Sequence, residues 1–293
     1  MKLVVTIPAY NEEKTIASVI NEIPHNIPGI DSVEVLVVDD GSTEGTAAMA
    51  REAGADHIIF HRTNEGLGVA FRDGLEAALD MGADIIVNID GDGQYNGTEI
   101  PKLIKPLLAD EADIVLGWRD IDNLAFMPPG RKFGNKMATW LTNMVCGGNT
   151  RIRDAQSGFR AFSRESALRM HLSGRYTYVQ ETLMEAKYKR LKVEQLPIDF
   201  RPRPGESRLI RNLPSYAARA GRIILSTYWK YNPLKIFVVV GGILLLVGVG
   251  LGLRVLVHYL QAGTVSPHTT SMIVASLSCA TGLQAMVLGL FAE

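Results

Sequence analysis

Short apolar runs alternate with helical patterns through the N-terminal half of the chain, and this alternation constrains the fold more than any other feature. The predicted strands are Leu3–Ile7, Val33–Val38, Ile58–Phe60, Ile85–Ile89 and Asp113–Leu116. Helices are predicted between them, ending near Glu22, over Thr43–Ala53, from Asn64 to about Met81 and over Ile100–Leu108. Strands that alternate with helices at this pitch predict a mainly parallel sheet covered by helices on both faces.

Polar clusters follow these strands at the points where the strands end. The clusters are Pro8–Glu13, Asp39–Ser42, Asn64–Gly68 and Asp90–Gln94. Ligands of parallel sheets bind beyond the carboxyl ends of the strands, so we expect the clusters to share one binding edge. The sequence has no GxGxxG turn and no GxxxxGK[ST] loop. Dinucleotide-binding enzymes and P-loop nucleotidases are therefore not favoured.

Two carboxylates, Asp90 and Asp92, stand at the end of the fourth predicted strand. Their i, i+2 spacing on an extended backbone places both side chains on one face. With Gln94 they supply hard oxygen ligands, which suit Mg²⁺ or Mn²⁺ holding a diphosphate. A surface turn is the alternative, because Asp and Gly are common turn residues. An EF-hand is excluded, since Tyr95 and Pro101 stand where that loop needs Gly and Glu.

Composition separates a soluble part from a membrane part. The 293 residues carry a net charge of −1, which argues against a nucleic-acid partner. The two cysteines exclude a disulfide framework and a zinc cluster. The apolar N-terminal run is followed at once by charged residues, so it is not a signal peptide, and we expect the first domain to stay in the cytoplasm.

Two C-terminal stretches, Ile236–Leu253 and Thr269–Ala292, contain no charged residue. Each reaches the roughly 18–20 residues that a membrane-spanning helix needs, which predicts a transmembrane hairpin. Lys230 and Lys235 precede the first stretch, and the connecting segment His258–His268 has no lysine or arginine, so the N-terminal domain is predicted to be cytoplasmic. Gly248 and Gly252 form a GxxxG that permits close helix packing, and a homo-oligomer through these helices is left open.

The segment 209–233, directly before the first span, mixes basic residues with aliphatic and aromatic ones. This pattern is typical of an interfacial amphipathic segment, although it also fits a helix that docks on the soluble domain. The predicted divisions are therefore a domain of residues 1–208, an interfacial segment of residues 209–233 and a transmembrane hairpin of residues 234–293.

Taken together, the motifs resemble those of family 2 glycosyltransferases of the GT-A fold, an α/β Rossmann-like architecture. Within this family the chain is most similar to the polyprenyl-phosphate group, the dolichyl-phosphate mannose or glucose synthases. The matching pieces are Pro8–Glu13, Asp39–Ser42, Asn64–Gly68, Asp90–Gln94, Gly117–Arg119, Asp154, Ser157–Arg160, Arg203 and Gly205–Arg208. The family usually has Gly-Ser-Arg at Gly117–Arg119 and Ser-Lys at Ser207-Arg208. Both departures keep a positively charged side chain in the motif, although they can alter how the donor or the acceptor fits.

The resemblance implies a role for each group of residues. Those that hold the nucleotide sugar are Pro8, Tyr10, Glu12, Asp39, Asp40 and Gly66. Those that hold a divalent metal on its diphosphate are Asp90, Asp92 and Gln94. Those that form the sugar and acceptor pocket are Ser157, Gly158 and Arg160, and the residue that binds hydroxyls of the donor sugar is Asp154. For Glu12 and Glu13 a helix cap is the alternative reading. Glu181 stands where other members carry a catalytic acid, and a charged helix start is equally consistent.

The acceptor implied by the resemblance is a polyprenyl phosphate, and this explains an absence. All six histidines lie outside the motifs, so no general base is evident. A lipid monophosphate needs none, because its second pKa is about 6. It needs cations instead, and the candidates are Arg119, Arg131, Arg203 and Arg208, although any single arginine is more often a solvated surface residue.

We therefore expect a membrane-anchored enzyme that transfers a sugar with inversion from a nucleotide sugar, such as GDP-mannose or UDP-glucose, to a polyprenyl or dolichyl phosphate. A polysaccharide synthase with a hydroxyl acceptor is one alternative, but its usual Gln-x-x-Arg-Trp motif is absent. A catalytically silent membrane scaffold is the other, and the intact Asp39, Asp90 and Asp92 count against it.

Overall fold

The computed structural model describes residues 1–146, 151–172, 174–175, 178–203, 229 and 233–292. The chain divides into two compact units, Met1–Ile224 and Leu225–Glu293. Most of the predicted interfacial segment lies outside the described residues, and so do Ser207 and Arg208. The predicted division of the chain at residues 208 and 233 stays a prediction.

The first unit contains seven strands, seven α-helices and one short 3-10 helix, Gly97–Glu99, within its described residues. The strands are β1 (Lys2–Ala9), β2 (Ser32–Asp39), β3 (His57–Phe60), β4 (Ile85–Asn88), β5 (Ile114–Trp118), β6 (Arg160–Ser163) and β7 (Val193–Pro197). The helices are α1 (Ile16–Asn21), α2 (Thr46–Glu52), α3 (Leu67–Asp80), α4 (Ile100–Leu108), α5 (Pro129–Cys146), α6 (Arg164–Arg169) and α7 (Val179–Tyr188). The five predicted strands and the helices predicted between them are confirmed, with bounds that differ by a few residues.

The strands form one sheet in the order β3-β2-β1-β4-β6-β5-β7. All neighbouring pairs are parallel except those of β6, which runs antiparallel to both β4 and β5. The predicted mainly parallel sheet is therefore confirmed, while β6 and β7 were not predicted. The chain builds outward from β1 through β2 to β3 and then returns to place β4 on the other side of β1. The strand order thus reverses between β1 and β4, which is where such sheets bind ligands.

Apolar residues cover both faces of the sheet, as the sequence predicts. Leu3, Val5 and Ile7 of β1 point to one face and join a buried cluster with residues of α1 and α4. Val4, between them, points to the other face and packs in a cluster with Phe71 of α3. Because side chains alternate along a strand, β1 contributes to both layers, and the edge formed by the strand ends is left for polar residues.

The second unit contains two helices, α8 (Pro233–Ala262) and α9 (Thr269–Ala292), and both are long and apolar enough to cross a membrane. Small residues lie where the helices meet. A Cβ atom on Gly241 would lie 2.5 Å from the Gly282 carbonyl oxygen, and one on Gly248 would lie 2.5 Å from Cys279 Sγ. One on Gly252 would come only within 4.0 Å of a side chain. The expected GxxxG therefore forms a close contact through Gly248 but not through Gly252.

Candidate active site

The turn after β4 carries Asp90 and Asp92 to the carboxyl edge of the sheet, beside the end of β1. The Thr15 hydroxyl donates a hydrogen bond to the Gly91 carbonyl over 2.8 Å, which ties this turn to the start of α1. Asp92 Oδ1 accepts a hydrogen bond of 3.1 Å from the Gln94 amide. The backbone around both carboxylates is therefore fixed by neighbouring elements.

Asp90 Oδ1 is buried and accepts no hydrogen bond from the described part of the chain. Burial raises the pKa of Asp90 to about 7, and the neighbouring Asp92 carboxylate adds to the rise. Burial also raises the pKa of Asp92, against the opposing effect of Arg203. A buried oxygen without a donor beside a second carboxylate is an arrangement that a divalent cation would satisfy.

Two carboxylates alone do not complete a metal site. Among the described residues, no group of three or more His, Cys, Asp or Glu side chains could hold a metal ion. Mg²⁺ is commonly bound by one or two carboxylates together with the phosphates of its substrate. The residues present therefore fit a cation that binds together with a diphosphate.

The Gly158 peptide packs directly against Asp90. A Cβ atom on Gly158 would lie 2.8 Å from Asp90 Oδ2, so no side chain fits there. The Gly158 amide donates to the Tyr95 hydroxyl over 2.9 Å. Its carbonyl accepts from Asn88 Nδ2 over 2.9 Å and from the Tyr178 hydroxyl over 3.2 Å. The peptide that limits the movement of Asp90 is thus held on both sides.

These three holding residues, Asn88, Tyr95 and Tyr178, were not among the predicted site residues. Tyr95 directly follows the Asp-Gly-Asp-Gly-Gln run, and this position is the one local signal that could have indicated it. Tyr178 lies far along the chain and stacks on Phe71 with 3.7 Å between ring centroids. Only the fold brings it to the site.

Arg119 and Asp154 form a buried, bidentate ion pair. Arg119 Nε donates to Asp154 Oδ2 over 2.6 Å, and Nη2 donates to Oδ1 over 3.0 Å. The guanidinium also lies over the Phe200 ring, 4.9 Å from its centroid. The sequence assigned these residues to different substrates, whereas the structure brings them together. Asp154 therefore fixes the orientation of Arg119 at the end of β5.

Arg203 bridges two of the predicted binding groups. Its Nη2 forms an ion pair with Glu12 Oε1, and its Nη1 lies 3.4 Å from Asp92 Oδ2. Glu12 Oε2 also lies 3.2 Å from the Thr15 hydroxyl oxygen. The end of β1, the carboxylate pair and the segment after β7 consequently meet at one place.

Residues 4–169, more than half of the chain, match the glycosyl transferase family 2. The chain is a family 2 glycosyltransferase. Its sheet order and the solved structures that it resembles show the GT-A fold. One such neighbour is the glucosyl-3-phosphoglycerate synthase of Mycobacterium tuberculosis in complex with Mn²⁺, UDP and glucosyl-3-phosphoglycerate. The two share a TM-score of 0.61 and 26% sequence identity over 78% of this chain and 79% of that chain.

Three relatives of this glycosyltransferase extend the comparison. The UDP-N-acetylglucosamine–dolichyl-phosphate N-acetylglucosaminyltransferase of Methanococcus voltae is 35% identical over 66% of this chain and 82% of its own length. The glycosyltransferase AglJ of Haloferax volcanii is 32% identical over 98% of this chain and 91% of its own. The polyprenol monophosphomannose synthase of Mycolicibacterium smegmatis is 30% identical over 69% and 78%, respectively. Because the match to AglJ covers 98% of this chain, it reaches into both C-terminal apolar helices.

The predicted nucleoside-binding residues of the glycosyltransferase lie at adjacent strand ends. Pro8 pairs in register with Val38, and Asp39 closes β2 next to it. Asp39 is buried, and its Oδ1 accepts a hydrogen bond of 2.9 Å from the Ser42 amide. Tyr10 follows directly after β1. Their roles in donor binding remain predictions, and the fold gathers them at one edge as expected.

Asp40 and Gly66 are joined to each other in this glycosyltransferase. The carboxylate of Asp40 accepts hydrogen bonds from the amides of Glu65 over 2.8 Å and Gly66 over 2.9 Å. It also contacts the His61 ring at 2.8 Å. Gly66 has a φ of 104°, which favours glycine. Asp40 thus holds the loop that opens α3, and we expect it to act on the donor through that loop.

Arg160 is fully buried beneath the loop that carries Ser157. Its Nε donates to the Ser157 carbonyl over 2.9 Å, and Nη2 donates to the Ala155 carbonyl over 3.3 Å. A further hydrogen bond joins Nη1 to the Thr182 hydroxyl. Burial lowers the pKa of Arg160 to about 10. Arg160 therefore supports this loop rather than presenting its guanidinium to solvent, and its role in a sugar and acceptor pocket stays a prediction.

Three further predicted residues have distinct surroundings. Gln94 Nε2 donates to the Arg201 carbonyl over 3.2 Å, so its amide is held near the carboxylate pair, and metal ligation by Gln94 stays a prediction. Arg131 is partly exposed in the first turn of α5, without an ion pair among the described residues. Glu181 is buried in α7, and its Oε2 accepts from the Gly174 amide over 2.9 Å. The choice between a catalytic and a structural role for Glu181 stays open.

Proposed function

We propose that this glycosyltransferase transfers a sugar from a nucleotide sugar to a polyprenyl or dolichyl phosphate and forms a lipid-phosphate-linked monosaccharide. Two relatives support this substrate class, since one is named as a dolichyl-phosphate N-acetylglucosaminyltransferase and the other as a polyprenol monophosphomannose synthase. The observation that carries the proposal is the pair formed by Asp90, whose Oδ1 lacks a donor within the described chain, and Asp92. The pair lies at the strand-order reversal with Arg203 beside it.

On the donor side, Asp90 and Asp92, with Gln94, would hold Mg²⁺ or Mn²⁺. Such an ion supplies Lewis-acid stabilisation to the departing nucleoside diphosphate. The M. tuberculosis neighbour was crystallised with Mn²⁺ and UDP, which supports a divalent metal in this fold. Pro8, Tyr10 and Asp39 are proposed to hold the nucleoside at the ends of β1 and β2.

On the acceptor side, the phosphate oxygen attacks the anomeric carbon. The bond between that carbon and the diphosphate oxygen breaks, and the electron pair leaves with the nucleoside diphosphate. No proton has to be removed, because a phosphate monoester is largely dianionic near pH 7. Arg119, oriented by Asp154, and Arg131 are proposed to position the phosphate and offset its repulsion from the donor. An in-line attack inverts the anomeric configuration.

The membrane part of the proposal places α8 and α9 across the bilayer. Lys235 flanks the start of the first predicted span, and the segment between the helices contains no lysine or arginine. This bias favours a cytoplasmic catalytic domain. The acceptor phosphate would then be presented at the same membrane face as soluble nucleotide sugars.

The test uses membranes that contain the protein, a panel of labelled UDP- and GDP-sugars, and polyprenyl phosphate. We expect a chloroform-extractable product with one donor, lost with EDTA and restored by Mn²⁺ or Mg²⁺. NMR of the product should show the anomeric configuration opposite to that of the donor. A water-soluble polymer instead would favour a polysaccharide synthase. Nucleotide-sugar binding that is absent, or unchanged by EDTA and without product, would favour a scaffold.

A further inference from the structure

The 151–155 segment lies between α5 and β6 in the chain and belongs to no helix or strand, and side chains of α5 bind its backbone. Asn143 Nδ2 donates to the Ile152 carbonyl over 2.8 Å, and Asn143 Oδ1 accepts from the Ile152 amide over 2.8 Å. The Thr139 hydroxyl, one turn earlier in α5, accepts from the Ala155 amide over 3.1 Å. Ile152 and Ala155 are buried, so water does not readily replace these partners.

Gln195 of β7 binds the same segment from the sheet. Its Oε1 accepts from the Arg153 amide over 2.8 Å, and its Nε2 donates to the Arg151 carbonyl over 3.0 Å. The backbone of Gln195 pairs in register with Leu116 of β5, so the side chain starts from a fixed position. Asn143 and Gln195 thus each bind one N–H and one C=O of the segment, as a neighbouring strand would. The segment is held like a strand without being one.

The residue that this arrangement holds in place is Asp154, which is fully buried. Besides its ion pair with the Arg119 guanidinium, its Oδ2 accepts a hydrogen bond of 3.2 Å from the Arg119 amide. A second contact lies beside the first, because the Arg153 guanidinium stacks on the Trp118 ring, 4.7 Å from its centroid. Two neighbouring residues at the end of β5 therefore contact two neighbouring residues of the segment, and a displacement of the segment would displace Arg119.

Helix α5 connects this pair to a second arginine. Arg131 lies in the first turn of α5, and Asn143 lies 12 positions later, about 18 Å along the helix axis. The helix thus carries one arginine directly and holds Arg119 indirectly, through Asn143 and then Asp154. A single rigid element consequently sets the spacing between the two arginines that are assigned to the acceptor.

We propose that Asn143 and Gln195 are positioning residues for the lipid phosphate acceptor. They fix the 151–155 segment, so that Asp154 aims Arg119 at the phosphate that Arg131 also meets. This inference rests on the proposed function, because it takes a phosphate to be what Arg119 contacts. Neither Asn143 nor Gln195 touches the substrate itself, since both act through the segment.

The test compares Asn143→Leu and Gln195→Leu with the unchanged full chain in lipid nanodiscs. Leucine fills a similar volume but binds neither the N–H nor the C=O of the segment. Asn21→Leu, at an exposed asparagine that ends α1, is the matched control. Three quantities are measured, namely hydrogen exchange of the amides of residues 151–155 by mass spectrometry, kcat and KM for polyprenyl phosphate, and the affinity for UDP and GDP with Mn²⁺.

We expect several-fold faster exchange in the segment and a kcat/KM for polyprenyl phosphate that is lower by about 10–100-fold, the effect of misplacing a positioned group by about 1 Å. The nucleotide affinity should stay that of the unchanged chain, because the residues assigned to the donor and the metal lie on other segments. Equal losses of nucleotide affinity and of acceptor kcat/KM would reveal general damage to the domain and would overturn the proposal.

Asn143→Asp decides the outcome if Asn143→Leu does not fold. It keeps an acceptor for the Ile152 amide but loses the donor to the Ile152 carbonyl, so exchange and acceptor kinetics should change in the same direction. Values equal to those of Asn21→Leu would overturn the proposal. An unchanged chain that forms no lipid product would instead overturn the proposed function, and the acceptor role of Asn143 and Gln195 with it. The exchange data would then decide separately whether these side chains hold the segment.

Discussion

The Gly158 peptide leaves no room for a side chain next to Asp90, since a Cβ atom there would lie 2.8 Å from one carboxylate oxygen and 2.9 Å from the other. Gly158→Ala should therefore displace the Asp90 carboxylate, because the peptide is held by hydrogen bonds on both sides. We expect metal affinity to fall by about 10–100-fold, as for other groups that orient metal ligands. Titration of Mn²⁺ by electron paramagnetic resonance in the presence of UDP measures this.

Gly250→Ala is the matched control for Gly158→Ala, because a Cβ atom on Gly250 meets nothing within 4 Å. It should bind Mn²⁺ as the unchanged chain does. Wild-type Mn²⁺ affinity in Gly158→Ala would show that the contact does not set the position of Asp90.

Asp92→Ala should abolish sugar transfer while leaving the fold intact. Asp92 is partly exposed, and Arg203 keeps its ion pair with Glu12, so the change leaves no unpaired buried charge. Transfer to polyprenyl phosphate and the circular dichroism spectrum are the two measurements. Asp80→Ala, at the exposed end of α3, is the control and should transfer normally. Normal turnover in Asp92→Ala would rule out the proposed metal role.

Asp154→Asn should destabilise the domain more than a surface change does. It removes the charge that compensates the buried Arg119 guanidinium, and breaking a buried ion pair from one side costs about 3–5 kcal/mol of unfolding free energy. Denaturant unfolding followed by fluorescence measures the loss. The double variant Arg119→Met with Asp154→Leu should recover much of the stability but no transfer activity. If the double variant transferred sugar, Arg119 would have no part in the reaction.

Arg131→Ala should raise the KM for polyprenyl phosphate by about 10-fold or more, the effect of losing one charge-assisted hydrogen bond. The KM for the nucleotide sugar should stay the same, because Arg131 is assigned to the acceptor. Arg72→Ala on α3, where the arginine pairs with acidic residues of its own helix, is the control. Initial rates with each substrate varied in turn give both constants. An unchanged acceptor KM together with an unchanged kcat would remove Arg131 from the site.

Gly248→Val should separate α8 from α9, because its side chain would meet Cys279 Sγ and the backbone of Ala275, at 2.5 Å and 2.9 Å from the Cβ position. Gly250→Val, two positions away, meets open space and should be tolerated. Thermal unfolding in lipid nanodiscs compares the two variants. Equal stability of both would mean that the helices do not pack through Gly248.

The sequence correctly predicted the strands whose own residues form a continuous apolar run. β1, β2 and β4 are apolar runs that end at turns, so their burial is evident locally. β6 begins with Arg160, and β7 contains glutamate, glutamine and proline, so the composition of these two segments does not predict buried strands. Their positions depend on pairing with distant strands, which local composition does not encode.

The site shows the same division between local and distant information. The spacing of Asp90 and Asp92 was sufficient to predict a shared carboxylate pair. The pairing of Arg119 with Asp154 was not predictable, because the residues next to a charged side chain in the sequence do not indicate which distant residue it contacts.

Glu12 and Arg203 touch across 191 positions of the chain. During synthesis, the N-terminal half can fold its strands without holding this arginine. The site becomes complete only when the polypeptide has been made almost to the start of α8. A nascent chain would therefore gain this candidate site at nearly the same time as its two long apolar helices, and an incomplete product released early would lack both.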